Sequence, residues 1–391
     1  MNNHWKYEKI GDVCTVERGG SPRPIDKFIT DDENGINWIK IGDTTDSMYI
    51  TETAQKIIPE GMRKSRYVKP GDFLLSNSMS FGRPYILAID GCIHDGWLVL
   101  RDDKELFDKR FLYYYLSSKT TYEKFKSMAV GGVVNNLNSE MVRGVNVPVP
   151  NKEEQADIAD LLDRVKNVID ERKEEINLLD NLIKARFVEL FGDPVHNEKG
   201  WTKKTLKDVC TKLNDGTHFS PESYETGDYK YVTAKNIKLN GFDFSNITYV
   251  PEEVHRPIYE RCNPEKGDVL YIKDGVTTGI AMVNTLDEEF TLLSSVALLK
   301  QNRALINGYF LCGVLNNNEM YSDIRSNMGG AAITRLTIAK LNTIQVIVPP
   351  MQLQDDYADF VKQIDKSKVA VQKSLDETQK LFDSLMQDYF G

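Results

Sequence analysis

The spacing of apolar and polar positions divides the chain into two kinds of segment. In residues 1–150 and 193–350, apolar residues come in short runs broken by turn formers. "INWIKIGD" (Ile36 to Asp43) and "YKYVTAKNI" (Tyr229 to Ile237) predict strands that run into loops. "DFLLS" follows Pro70-Gly71 and "DVLYIK" follows Lys266-Gly267, so each predicts a strand after a tight turn. "DGWLVLR" and "SSVALLK" predict buried strands, and "RFLYYYLSSKTTYEKFKSM" and "NGYFLCGVLNNNEMYSDIRSNM" predict short helices near the end of each segment. The class is α+β with strands dominating.

Residues 151–192 and 351–391 change period from about 2 to 3.5. In the first, Ile158, Val165 and Leu179 share one heptad position, and Leu161/Leu162, Ile169, Ile176, Ile183 and Leu190 the other. In the second the positions are Tyr357, Ile364, Val371 and Leu385, then Phe360/Val361, Leu375, Phe382 and Tyr389. A stripe of that period is the signature of a coiled coil. Asn151 is the expected cap of the first helix, with Glu154 at capping-box spacing. "FGDP" (Phe191 to Pro194) is its stop. Forty residues give a rod of about 60 Å. Arg172, Arg186, Lys368 and Thr378 interrupt the apolar stripes, either as a solvated edge or as polar groups that fix register. Two such helices in one chain are expected to pack on each other. They run antiparallel if the two halves are related by a pseudo-two-fold axis.

The halves are copies. "WKYEKIGDVCT" at Trp5 returns as "WTKKTLKDVCT" at Trp201, and "KPGDFLL" returns as "EKGDVLY". "GGVVNNLNSEMVRGVNVPVP" returns as "GGAAITRLTIAKLNTIQVIVPP", "EQADIAD" as "LQDDYAD", and "FVELFG" as "MQDYFG". The echoes keep their order at offsets of 196 to 200 residues, which establishes a tandem duplication. The expected domains are 1–150, a helix over 151–192, then 193–350 and a helix over 351–391. Residues 16–66 and 212–260 share little, as do 76–128 and 272–326. A common frame with divergent filling suits two copies that recognise different things; ordinary drift after duplication is the alternative.

Charge sharpens this division. The net charge is −9, yet residues 1–150 balance at 20 basic against 20 acidic, and 193–350 carry 17 against 19. The two helical segments hold the remaining excess, 7 against 11 and 5 against 8. Both large segments are therefore near neutral, and each has enough cations for a basic face. Five scattered cysteines, none in C-x-x-C, suggest reduced thiols in a cytoplasmic protein and no zinc site. No apolar run reaches about 18 residues, and the N-terminus lacks a signal-peptide core. There is no phosphate-binding glycine loop, no G-x-G-x-x-G and no metal spacing among the five histidines. "NPEK" at Asn263 lacks the second proline and the aromatic of an amino-methyltransferase loop. No catalytic residue is predicted. The pattern is that of a binding protein with a spacer.

Together, Trp-x4-[Ile/Leu]-x-Asp-Val, Gly-Gly-Ser-Pro, "KPGD-LLS", "VPVP…EEQADIA", "LFGDP" and the second copy resemble the specificity (S) subunit of Type I restriction-modification systems. The resemblance covers the whole chain. Copy two departs from it with "NDGTHFSP" for "RGGSPRP" and with Leu353 where copy one has Glu154. The resemblance implies two target recognition domains, each reading one half of a bipartite, asymmetric site in double-stranded DNA. It implies helices that set the spacing and dock two modification (methyltransferase) subunits. S-adenosylmethionine would belong to those subunits, and ATP and Mg to restriction (nuclease/translocase) subunits, with no cofactor or metal on this chain. A fused DNA methyltransferase and a protein-only coiled-coil scaffold are the rival readings.

By position in the frame, the first domain's candidate DNA contacts are Ser21, Arg23, Lys40, Asp43, Thr44, Asn77, Ser80, Arg83, Asn135 and Asn136. In the second they are Thr217, His218, Thr233, Lys235, Asn236, Lys273, Thr277, Thr278 and Arg335. Arginine forks suit guanine (Arg23, Arg83) and side-chain amides suit adenine (Asn77, Asn236). Lys40 and Lys273 suit phosphate, which positions without specifying. Partner contacts are expected on the outward faces of the helices and on the "GGVVNNL" and "GGAAITRL" loops.

Overall fold

The computed structural model describes residues 4–77, 82–129, 136–326 and 335–391. Two compact units emerge, 1–173 with 373–391, and 174–372. Each unit therefore takes one end of each long helix, and the last 19 residues of the chain fold with its first domain.

In the first unit, strands run in the order Thr15–Arg18, Trp97–Arg101, Phe73–Ser76, Pro84–Leu87, Tyr49–Ile50. All neighbours are antiparallel except the last pair. The inner strands are buried on both faces, which is why they read as continuous apolar runs. Successive side chains alternate between two cores. Phe73, Leu75, Leu98 and Leu100 face the helices, while Leu74, Trp97 and Val99 face a second sheet. That second sheet orders Ile29–Thr30, Lys56–Ile57, Ile36–Ile39, Gly91–Ile93 and Arg66–Val68.

The second unit repeats the plan. Its sheet orders Cys210–Asp215, Val296–Gln301, Val269–Ile272, Ala281–Val283. Val269, Tyr271, Ala297 and Leu299 face the helical core, and Leu270, Ile272, Val296 and Leu298 the other. The tight turns are also the same turn. Asp72 N–H bonds Lys69 O at 3.0 Å, and Asp268 N–H bonds Glu265 O at 3.1 Å. Gly71 and Gly267 both have φ +89°, which favours glycine there. Both segments close on themselves, with Tyr7 paired to Pro148 and Thr202 to Val348.

The long helices span Lys152–Phe191 and Met351–Phe390, 40 residues each. Glu154 N–H donates to the Asn151 Oδ1 at 2.9 Å, so the expected cap forms. The Glu154 carboxylate does not complete the box; it takes the indole N–H of Trp5 at 2.8 Å. In the second unit the helices pair antiparallel. Lys368 Nζ meets Asp180 at 2.6 Å, and eleven residues away on each helix, in opposite directions, Tyr357 packs on Phe191. Lys368 is thus an interhelical tether rather than a solvated edge, and the Arg186 guanidinium lies over the Phe360 ring. The expected short helices each split in two, Lys109–Ser117 and Lys119–Ala129, then Gly308–Leu315 and Asn318–Ser326. In the first, Ser118 turns extended, and its hydroxyl takes Thr121 N–H at 3.2 Å. No described helix is long and apolar enough to cross a membrane.

Candidate nucleic-acid interface

Each domain builds its loops on one main-chain scaffold. In the first, Gly19 N–H bonds Trp97 O (2.9 Å) and Gly20 N–H bonds Ile93 O (3.2 Å). Asn77 N–H bonds Gly96 O (3.0 Å), and Asn77 O accepts from Leu137 N–H (2.9 Å). In the second, Gly216 bonds Val296 O (3.4 Å) and Thr217 bonds Leu292 O (2.8 Å). Lys273 bonds Ser295 O (2.9 Å) and accepts from Leu336 (2.8 Å). Glycine is needed at Gly19 and Gly216. A Cβ there would lie 2.1 Å from His94 O and 1.9 Å from Leu292 O.

On this scaffold the first domain gathers its candidates around the loop 93–96. The Ser21 hydroxyl donates to Asp95 Oδ1 at 2.6 Å, and Arg23 approaches Oδ2 at 3.5 Å. That hydroxyl bond is the main cause holding the Asp95 carboxyl below its ordinary range. Asn77 is buried and gives its amide to Asp95 O at 2.8 Å, so it braces the loop instead of facing a base. Lys40 reaches Gln55 at 2.9 Å. Asp43 accepts the Lys40 and Ala54 N–H groups, and the Thr44 hydroxyl donates to Ile41 O. Arg83 lies apart from that loop, over the Tyr85 ring and 3.5 Å from Asp46. Asn136 is exposed. Ser80 and Asn135 lie outside the described residues, as does most of the two glycine-rich loops. His94 ties the cluster together. Two backbone N–H groups, Gly96 at 2.8 Å and Ile41 at 3.2 Å, point at its ring nitrogens. A neutral ring can accept one of them, and a protonated ring neither. Burial accordingly lowers its pKa below the ordinary histidine value.

The second domain centres its candidates on a buried carboxylate, Asp215. Asp215 meets Lys273 Nζ at 3.3 Å, His218 Nε2 at 3.2 Å and Arg261 at 3.7 Å. The Lys273 side chain is 2% exposed, so its charge is spent inside the domain and is not available to a phosphate. Asn236 is buried, with Oδ1 taken by Thr233 N–H and its amide by Asp243 O. Thr233 caps the turn Ala234–Asn236 by accepting Lys235 N–H. Thr217 is buried, and Thr278 is buried with its hydroxyl on Gly275 O. Lys235, Thr277, His218 and Arg335 stay exposed, the last 3.4 Å from Asp274.

Several members were missed by sequence reasoning. Arg18 donates to Asp95 O at 3.1 Å beside Ser21 and Arg23. Asp95 and His94 sit in "CIHDGW", a polar pair interrupting an apolar run, which was the available signal. Nothing in the sequence marks Arg261, which joins Asp215 from a helix 46 residues away.

Burial raises the thiols of Cys14, Cys210 and Cys262 to about 12 and of Cys92 to about 11, so none is a ready nucleophile. All five cysteines are free. Among the described residues no three His, Cys, Asp or Glu side chains converge as a metal site would need. These domains offer loops of forked donors and amides on rigid strands, which suits recognition.

The same order of elements occurs in known proteins. A crystal structure of the Type I restriction-modification system S subunit from M. genitalium superposes with a TM-score of 0.57 at 17% identity, covering 100% of this chain and 97% of that one. The MjaIX specificity subunit of Methanocaldococcus jannaschii is 22% identical over 98% of this chain and 91% of its own. The EcoKI specificity subunit of Escherichia coli K12 is 23% identical over 69% of this chain and 61% of its own. The model of the Type I restriction modification DNA specificity domain matches residues 2–180 and again residues 198–378. With both copies of its internal repeat so matched, the chain belongs to the Type I restriction-modification DNA specificity family and carries two of its domains in tandem.

Proposed function

We propose that this chain is the non-catalytic specificity subunit of a Type I restriction-modification complex, with each domain reading one half of a bipartite, asymmetric site in double-stranded DNA. One observation carries the reading. The two domains share their main-chain scaffold bond for bond, yet the side chains mounted on it differ, Asn77 against Lys273 and Ser21 against His218. A duplicated fold that keeps its frame and changes its loops reads two different sequences. The reading assigns contacts with bases or phosphates to Arg23, Arg83, Asn136, His218, Lys235, Thr277 and Arg335, and their exposure supports it.

The paired helices hold the readers at a set separation. Two weak half-site contacts on one spacer then combine as an intramolecular pair. Two modification subunits, which bind S-adenosylmethionine, dock on outward helix faces. Exposed Leu178 and Leu182 in the second unit, and Leu161 and Val168 in the first, supply apolar surface for this. ATP and Mg serve the restriction subunits, and this chain binds neither.

The test is a domain exchange followed by mapping of methylated motifs in cells. Replacing residues 1–150 with the matching domain of a relative is expected to change one half of the motif and leave the other. A change in both halves would refute the two-reader model. Methylation by this chain alone would favour a fused methyltransferase. Loss of every sequence preference in the assembled complex would favour a protein scaffold.

A further inference from the structure

The hairpin between Val269–Ile272 and Ala281–Val283 ends in "KDGVTTG", with Val276 at its tip. Val276 is 94% exposed, the most exposed of the large apolar side chains described. Its loop is held from all sides. Lys273 is anchored in the Asp215 ion pair and Asp274 pairs with Arg335. The buried Thr278 closes the loop onto Gly275 O at 2.7 Å, and Arg325 holds Thr278 O at 3.0 Å. Gly279 has φ +113° and lies so close to the Tyr321 ring that a Cβ would sit 2.4 Å from it. Gly275, with φ +106°, has nothing within 4 Å of where a Cβ would be, so the tip stands clear of the domain. A rigid loop thus holds a branched aliphatic group in water, beside the exposed Thr277 and Arg335.

Resting on the recognition reading above, we infer that Val276 is a specificity-determining residue that packs on the C5-methyl group of a thymine in the half-site read by the second domain. In the major groove the thymine methyl is the one apolar group that the bases display. On this loop the exposed Thr277 offers one small methyl, whereas Val276 presents a branched aliphatic group that is more exposed than Phe219 beside His218.

The test uses the full chain assembled with its modification subunits on a duplex carrying the mapped motif. Thymines of the second half-site are replaced one at a time by deoxyuridine, which removes only the methyl. One replacement is expected to weaken binding about fourfold, the worth of one buried methyl. Val276→Ala is expected to weaken binding to the thymine duplex by a similar or larger factor. On that deoxyuridine duplex it loses little more, so the two changes are coupled. At so exposed a position the variant should keep wild-type stability.

Wild-type indifference to every replacement overturns the inference, as does a half-site without thymine on either strand. An equal loss for Val276→Ala on unrelated DNA also overturns it. Loss of subunit assembly with unchanged DNA preference assigns Val276 to a protein contact instead. If the wild-type complex prefers no sequence at all, the recognition reading itself fails, and this inference with it.

Discussion

Replacing Gln354 with methionine removes a clamp between the C-terminal helix and the second domain while keeping the side chain's length. Gln354 is completely buried. Its Oε1 accepts Asn307 N–H at 2.9 Å, and its Nε2 donates to Leu305 O at 3.2 Å and Pro349 O at 2.8 Å. Gln155 makes the same three bonds in the first unit, to Asp108 N–H (2.7 Å), Leu106 O (3.0 Å) and Pro150 O (2.9 Å). Each main-chain group orphaned in the interior costs about 1–3 kcal/mol. Some will find water, so the loss expected for Gln354→Met is about 3–5 kcal/mol. For a unit of this size that lowers Tm by about 10 °C. The assay is urea unfolding followed by hydrogen exchange in Val296–Gln301 for the second unit and Trp97–Arg101 for the first. Gln354→Met should destabilise the second unit, and Gln155→Met the first by a similar amount. Gln363→Met, exposed on the same helix, is the control and should cost almost nothing. A loss below about 1 kcal/mol for both buried variants would refute the clamp, since it is less than one orphaned pair should cost.

Phe390 is buried against Phe111 (5.5 Å), Tyr115 (5.9 Å) and Trp5 (6.5 Å). Phe390→Ala should cost about 3–5 kcal/mol, and hydrogen exchange should place that loss in the first unit although the residue is the penultimate one of the chain. His94 carries a pH prediction. Its folded pKa lies below its unfolded one, so protons bind the unfolded chain more tightly. Stability of the first unit should therefore be complete above about pH 6.5 and fall as pH drops below it, and His94→Gln should flatten that slope in melts between pH 7.5 and 5.5. The lowered Asp95 adds a loss only at lower pH, below the ordinary carboxylate range.

Much of this fold was legible because burial leaves periodic marks. The runs at Phe73 and Val269 are continuous since both faces of those strands are covered, and the heptads at Ile158 and Tyr357 mark helices with one covered face. The loops were less legible for a chemical reason. Asparagine, threonine and lysine suit a base edge, and they equally satisfy main-chain groups left over where a strand ends. Asn236 fits an adenine by type, yet its amide is spent on Thr233 and Asp243. Lys273 fits a phosphate, yet a carboxylate from a strand 58 residues earlier has claimed it. Partners so distant leave no local mark. The repeat did carry one hint. Where Leu353 replaces Glu154, the indole of the second copy must find another acceptor, and Trp201 turns to Phe191 O at 2.9 Å.

The scaffold bonds explain how one fold can be re-aimed without being rebuilt. Asn77 and Lys273 hold their loops through main-chain N–H and C=O groups, which any residue except proline supplies. The side chain at that position is then free to change, provided its own polar atoms are satisfied. In the first domain the answer is an amide on a carbonyl, and in the second an ammonium on a carboxylate. Each answer fixes what stands next to it, Ser21 and Arg23 around Asp95, or His218 around Asp215. A single substitution at the buried position therefore tends to strand a charge or an amide, which is costly. Paired changes, such as Lys273 together with Asp215, keep the books closed and move the exposed donors as a set. The exposed side chains therefore change in groups, and in the second domain the buried Lys273–Asp215 pair limits which group is possible.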